Sequence, residues 1–188
     1  NKFKRVKSNL NKIYKDQSFD KYDDMPGRFS IKDIYLDKDN NDIYASLPKD
    51  ITGDGCYGMA IFKAKLNNLE FENVESDYFL RFKEFFQTDI CNRRYNGHRV
   101  GGRIKKYKDS IILTIGDLDI YNNPNAIMPQ SKKDISGHVL SINKDGEDIL
   151  LSTGHRNPQG LEIVGDKIFV TEHGPQGGDE INLIKENN

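Results

Sequence analysis

The sequence predicts an all-β protein of the β-propeller class, with about three blades present in the chain. One hairpin pattern, two apolar segments joined by a polar turn, occurs three times. Its second strands align at Ile43, Ile111 and Ile168, which lie 68 and 57 residues apart. Other short apolar runs, separated by turn residues, lie between the copies. A degenerate repeat built from short strands is typical of four-stranded sheets arranged around an axis.

Each hairpin consists of residue types that favour strands, with polar residues and glycine in the turns. In chain order the paired segments are residues 34–36 with 43–46, 103–104 with 111–114, and 161–164 with 168–171. Additional strands are predicted over residues 57–62, 69–74, 138–142 and 149–152. The run Ile111-Ile112-Leu113 has no polar alternation, so we expect neighbouring blades to cover both of its faces.

One segment departs from this strand pattern. Phe79, Phe82 and Phe86 recur at helical spacing within residues 77–87, and Phe85 widens the same face. A short amphipathic helix or an insertion that connects blades fits this spacing. In either case the aromatic side chains are predicted to serve packing.

The repeat also bears on domain organisation. We expect residues 1–188 to be the N-terminal part of a single propeller domain, with an irregular segment over residues 1–28. Propellers have roughly four to eight blades, so three blades do not close a ring and would leave sheet edges open. The chain is therefore predicted to be part of a longer protein.

Composition excludes several classes of protein. The chain has 28 Lys and Arg against 29 Asp and Glu, so no net basic field indicates nucleic-acid binding. Its 9 Tyr and 10 Phe are too many for a disordered tail, and no run approaches the 18 apolar residues of a membrane span. Motifs of esterases, zinc proteases, phosphate-binding loops and nicotinamide dehydrogenases are absent from the sequence. A soluble globular domain is predicted.

The two cysteines leave the cellular compartment open. Cys56 and Cys91 lack the C-x-x-C spacing of zinc or thiol redox sites. They could form one bridge in an oxidising compartment, or lie in the core as small free hydrophobic residues.

Two loop sequences carry most of the chemical information. Residues 154–161 read G-H-R-N-P-Q-G-L, which offers a guanidinium, an imidazole and two amides beside Pro and Gly. Residues 171–182 read T-E-H-G-P-Q-G-G-D-E-I-N, where Gly and Pro turn backbone carbonyls outward and two acids follow. The arginine suits carboxylate or quinone oxygens, and carbonyls with carboxylates are ligands that calcium takes. By composition alone, both loops could also be turns whose polar groups bond local backbone.

Together these loops resemble the signature of the glucose/sorbosone dehydrogenase family, soluble sugar dehydrogenases that use pyrroloquinoline quinone (PQQ). Residues 101–104, 113–117 and 137–146 look like adjoining family hairpins, so recognisable motifs cover about residues 97–184. The resemblance implies a six-bladed propeller that carries the quinone over a calcium ion. It also implies a quinoprotein of carbohydrate metabolism in the periplasm or outside the cell, although no export signal is present in these residues.

The resemblance assigns ligand roles by matching positions. Arg156 and Asn157 would contact quinone and carboxylate oxygens, and Arg156 would stabilise negative charge as the quinone is reduced. A further quinone contact would fall near Asn122. For calcium, the resemblance implies the carbonyls of Gly174 and Pro175, with two nearby acids as ligands of the same or a neighbouring site. Those acids are Asp179 and Glu180.

The catalytic base is assigned in two alternative ways. In the family, a histidine four residues before the arginine of the G-G-R-type motif takes the proton from the anomeric hydroxyl of the sugar. Here His98 lies five residues before Arg103, and Arg99 occupies the matching place. Either a one-residue insertion still presents His98, whose residue type suits a base near neutral pH, or Arg99 faces the cofactor and the base is missing. His155 is predicted to be a structural hydrogen-bonding residue.

The leading hypothesis is PQQ- and calcium-dependent oxidation of an aldose-type sugar, with hydride transfer to the quinone and an external electron acceptor. This chain alone is expected to be inactive, because further cofactor contacts in the family come from later blades. The alternative is a non-catalytic calcium-binding propeller that serves as an interaction module. The sequence leaves the sugar, the acceptor and homodimer formation open.

Overall fold

The structure is a computed structural model that describes residues 6–15, 30–66, 70–72, 77–93, 95–118, 129–133 and 135–185. It confirms the predicted all-β class. The described elements are, in chain order, β1 (Val6–Ser8), α1 (Leu10–Lys15), β2 (Asp33–Asp37), β3 (Asp42–Asp50), β4 (Tyr57–Lys65), β5 (Glu70–Glu72), β6 (Asp77–Leu80), β7 (Lys83–Gln87), β8 (Gly101–Tyr107), β9 (Ser110–Ile115), β10 (Val139–Ile142), β11 (Asp148–Ser152), β12 (Pro158–Val164), β13 (Lys167–Glu172) and β14 (Glu180–Ile184). Within the segment predicted to be irregular, residues 6–15 form β1 and α1.

The strands form partial propeller blades. Two antiparallel four-stranded sheets have the orders β2-β3-β4-β7 and β8-β9-β10-β11, and a third sheet has the order β12-β13-β14. A small separate sheet has the order β1-β6-β5. Its strands β5 and β6 belong to the chain segment that connects β4 to β7, and β1 pairs in parallel with β6. No helix in these described ranges is long and apolar enough to cross a membrane.

Packing between blades explains the unbroken apolar run in β9. Ile111, Leu113 and Ile115 lie in a core shared with the first blade, whereas Ile112 lies in a core shared with the third. Because the side chains of a strand alternate between its two faces, both sets must be apolar when blades lie on both sides. Complete burial of each such side chain contributes about 1.5–3 kcal/mol.

The helical alternative for residues 77–87 is wrong, because the segment forms β6 and β7. Phe82, between the two strands, packs with Leu10 on one face of the first blade. Phe86 packs with Tyr57 on the opposite face. A register shift in the pairing of β7 with β4 indicates a β-bulge, which alters the two-residue period. The strand break and the bulge together therefore produced a spacing that resembled a helix.

Strand alternation brings several connections between strands to the same end of the sheets, which we call the site end. The described residues of these connections are 51–56, 88–93, 95–100, 116–118, 129–133, 135–138, 153–157 and 173–179. Short turns, such as the one between β12 and β13, lie at the other end. The sequences of residues 154–161 and 171–182, which we call the first and second signature loops, therefore have their loop residues at the same end of the sheets.

A disulfide joins two connections of the site end. Cys56 and Cys91 are bonded across a separation of 35 residues, which resolves the two alternatives in favour of a bridge. Backbone hydrogen bonds between Tyr57 and Asn92, at 2.8 and 3.1 Å, lie directly beside it. The bridge thus ties the connection before β4 to the segment that leads to His98.

We predict that replacing both cysteines by serine lowers the free energy of unfolding by about 4 kcal/mol, because the denatured chain regains the entropy of a loop of this length. Chemical denaturation of the full-length protein, with and without a phosphine reductant, measures this loss. Reductant should destabilise the wild type and leave the double variant unchanged. Equal stability of oxidised and reduced wild type would contradict the prediction.

Candidate functional site

Backbone hydrogen bonds connect three loops at the site end. The N–H of Gly116 donates to the carbonyl of Val100 at 3.0 Å, and the N–H of Gly137 donates to the carbonyl of Gly116 at 2.8 Å. The N–H of His155 then donates to the carbonyl of Gly137 at 3.0 Å. These bonds join Gly116 and Gly137, which lie between β9 and β10, to the segments that precede β8 and β12.

Gly116 allows an unusually close approach of these segments. A Cβ atom at this position would lie 1.9 Å from the carbonyl oxygen of Arg99 and 2.8 Å from that of Arg156. Any side chain would therefore force the two loops apart.

A buried carboxylate organises the first signature loop. Glu172, the last residue of β13, accepts a hydrogen bond from the Nδ1 of His155 at 2.8 Å and one from the backbone N–H of Arg156 at 2.7 Å. The amide of Asn182 donates to the same carboxylate at 2.6 Å. Burial alone would raise the pKa of Glu172, but the hydrogen bonds from His155 and Arg156 outweigh it, so the pKa lies below its ordinary value.

The side chain of Arg156 connects the two signature loops. Its Nη1 donates to the carbonyl oxygen of His173 at 2.8 Å and to that of Gly174 at 2.9 Å. Asn157 adds a backbone contact, since its carbonyl accepts the N–H of His173 at 3.2 Å. Its side-chain oxygen accepts a hydrogen bond from Gln159 at 2.8 Å.

The second loop contains a single 3₁₀ turn, Pro175–Gly177. The carbonyl of Pro175 accepts the N–H of Gly178 at 3.1 Å. The carboxylate of Asp179 accepts the N–H of Gly174 and lies against the Nδ1 of His173, both at 3.2 Å. This exposed carboxylate therefore holds the turn in place.

The second predicted acid, Glu180, differs from Asp179 in its position and in its contacts. It is the first residue of β14, and its carboxylate accepts a hydrogen bond from the side chain of Asn182 at 3.2 Å. Both acids are exposed.

The two candidates for the base position are in different environments. His98 is exposed, and its backbone N–H donates to the side chain of Asn96 at 3.1 Å. Arg99 has a left-handed backbone conformation with φ of 47°, and its guanidinium lies 3.4 Å from the fully buried carboxylate of Asp117. The N–H of Asp117 donates to the carbonyl of Arg156 at 2.8 Å, so this pair adjoins the first signature loop.

The structural role predicted for His155 is confirmed. Its ring is buried, and its two nitrogens contact Glu172 and the hydroxyl of Ser152 at 2.8 and 2.9 Å. Asn122 lies outside the described residues. The structure thus brings the predicted residues Arg156, Asn157, Gly174 and Asp179 together around His173.

Two carboxylates of the site were not assigned from sequence. Glu172 lies within the second signature and Asp117 ends the Ile-Gly-Asp motif after β9. Glu172 ends β13 and Asp117 lies two residues after β9, so their positions at strand ends could have indicated buried acids that fix neighbouring loops. The sequence does not show which residues these acids contact, because the partners are far along the chain: Asp117 and Arg156 are separated by almost forty residues.

The donor set of the second loop suits calcium in its chemistry. The carbonyls of His173 and Gly174 converge on one positive charge, the guanidinium of Arg156. Oxygen donors of this kind are the ligands that calcium prefers. No group of three or more His, Cys, Asp or Glu side chains in the part of the chain that the structure describes could hold a metal ion.

Comparison with known proteins finds the same family that the two signature loops resemble. The family model described as Glucose / Sorbosone dehydrogenase matches residues 30–188. The uncharacterized protein slr1608 of Synechocystis sp. is 30% identical over 119 residues, a match that covers 52% of this chain and 29% of that protein. The chain thus spans less than a third of the length of this relative. The family match covers both signature loops and all three main sheets, and the chain belongs to the glucose/sorbosone dehydrogenase family.

Proposed function

We propose that the protein is a quinoprotein dehydrogenase that oxidises an aldose-type sugar with PQQ and calcium, and that this chain supplies part of its site. Family membership supports a dehydrogenase of sugar-dehydrogenase type. The single observation that carries the finer proposal is the contact between the two signature loops. Arg156 donates to the carbonyls of His173 and Gly174, so the proposed cofactor and metal residues adjoin each other.

The residues of the first loop would bind and orient the ligand. When bound, PQQ would supply the two-electron acceptor that takes hydride from the sugar, and calcium would supply a Lewis acid. Arg156 would present a permanent positive charge to the oxygens that become negative, and Asn157 would add a neutral donor. Glu172 fixes the backbone of Arg156, so the guanidinium projects from a rigid base. Asn122 would provide a further contact.

His98 would accept the proton of the anomeric hydroxyl. Its ring is exposed at the site end, which gives it access to a substrate. The carbonyls of Gly174 and Pro175 would hold calcium, with Asp179 and Glu180 as acidic ligands of the same or a neighbouring site. The disulfide supports a periplasmic or secreted location, because such bridges persist in oxidising compartments. An external electron acceptor would complete the turnover.

One observation favours a second candidate function, a non-catalytic calcium-binding propeller that serves as an interaction module. Arg99 occupies the place that matches the family base, and its guanidinium lies against the buried Asp117. A guanidinium remains protonated at ordinary pH and does not accept a proton. If His98 does not reach the substrate, the two signature loops could still bind their ligands, but the site would have no catalytic base.

Titration of PQQ into the calcium-loaded full-length protein distinguishes the two functions. We expect saturable perturbation of the quinone absorption spectrum, and a loss of affinity of at least tenfold in Arg156→Ala, since charge-assisted hydrogen bonds to carboxylates are strong. An unperturbed quinone spectrum with intact calcium binding would favour the interaction module.

A further inference from the structure

We infer that Arg156 is an internal substitute for the cation at the second signature loop, so that its guanidinium and calcium compete for the carbonyl of Gly174. The inference rests on the proposed function, since it takes that carbonyl as a calcium ligand. Its consequence is that calcium binding displaces the guanidinium and makes it available to an anionic ligand.

The competition follows from the contacts of the side chain. One nitrogen, Nη1, is within 3 Å of two carbonyl oxygens, those of His173 and Gly174. Convergent carbonyls are a common arrangement in cation sites, and here a guanidinium satisfies them. Two positive charges repel each other strongly at such short range. Calcium on the Gly174 oxygen and the guanidinium in its present position therefore exclude each other.

The main chain of Arg156 is fixed independently of its side chain. Its N–H is bound by the carboxylate of Glu172 at 2.7 Å, and its carbonyl accepts the N–H of Asp117 at 2.8 Å. Displacement would therefore rotate the side chain and leave the loop in place. The released side chain would still start from the same backbone position beside the cation. The guanidinium and the calcium ion could then both attract one anionic ligand.

This arrangement predicts opposite effects of one substitution. Removing the guanidinium should strengthen calcium binding, because no internal charge has to leave. It should weaken binding of an anionic quinone, because the displaced donor is lost. A residue that merely stabilised the turn would weaken both.

Calorimetric titration of calcium chloride into the metal-free full-length protein, without quinone, tests the inference. We expect Arg156→Gln to bind calcium about tenfold more tightly than the wild type, within the usual range of coupling between sites. The matched control is Arg103→Gln, since Arg103 also donates to a backbone carbonyl, that of Lys32 at 3.2 Å. This control removes the same charge and should change calcium affinity less than threefold.

A second variant keeps the test decisive if Arg156→Gln folds poorly. Arg156→Ala also removes the guanidinium and should likewise bind calcium about tenfold more tightly than the wild type. Equal calcium affinity in the wild type and in both variants would overturn the internal substitute and leave the proposed calcium site intact. Absence of calcium binding in every form, at millimolar concentration, would overturn the proposed function itself.

Discussion

Replacing His98 with glutamine is expected to lower sugar-dependent turnover of the full-length enzyme by about 10²–10⁴-fold, the usual contribution of a general base. Glutamine keeps the size and polarity of the side chain but cannot accept the proton of the anomeric hydroxyl at neutral pH. Because the His98 ring lies at the exposed surface of the site end, the substitution should leave the fold and the affinity for the quinone unchanged. Steady-state dye reduction, with quinone titration as the control, measures both effects.

Arg99→Gln is the informative comparison for this prediction. The guanidinium of Arg99 lies against buried Asp117 in the wild type, so the glutamine variant should lose stability as well as activity. A wild-type rate in His98→Gln would show that another group takes the proton. If Arg99→Gln alone abolished turnover without loss of stability, the matching place in the motif, rather than the neighbouring histidine, would carry the function.

Glu172→Ala is expected to destabilise the protein by about 3 kcal/mol, because it leaves buried donors without an acceptor. The carboxylate now receives the ring of His155, the N–H of Arg156 and the amide of Asn182. Since these groups hold the first signature loop, quinone affinity should fall together with stability. Denaturant unfolding and quinone titration of the same preparation check both consequences.

The control variant and the pH dependence make this prediction specific. Glu162→Ala removes an exposed carboxylate of the same sheet, which pairs with Lys105, and should cost less than about 1 kcal/mol. The pKa of Glu172 is lowered in the folded protein, so its stabilisation is complete above the ordinary glutamate pKa and is lost as pH falls through the lowered value. The stability gap between wild type and Glu172→Ala should therefore shrink in acid. A gap that is constant with pH would contradict the role of the charge.

The sequence predicted the blades well because their strands are short, apolar and bounded by turn residues. The run through Ile112 correctly indicated a strand covered on both faces. Residues 77–87 misled, because a strand break and a bulge placed phenylalanines at helical spacing on opposite faces. Periodicity within one segment carries no information about such interruptions.

The site was predictable only in part. The signature loops identified Arg156 and Gly174, and in the structure the Nη1 of Arg156 lies 2.9 Å from the carbonyl oxygen of Gly174. Asp117 and Glu172 acquire their roles from partners far along the chain, and the pairing of Cys56 with Cys91 likewise needs the fold. Local sequence indicates which groups are present, whereas strand order determines which groups meet.

The most direct test of the proposed function is sugar-dependent dye reduction by the full-length protein, assayed with a panel of aldoses after reconstitution with PQQ and calcium. We predict saturable reduction that requires the quinone, the metal and a sugar together, and that disappears in Arg156→Ala. A protein that binds both the quinone and calcium, yet reduces no dye with any aldose of the panel, would contradict the proposal.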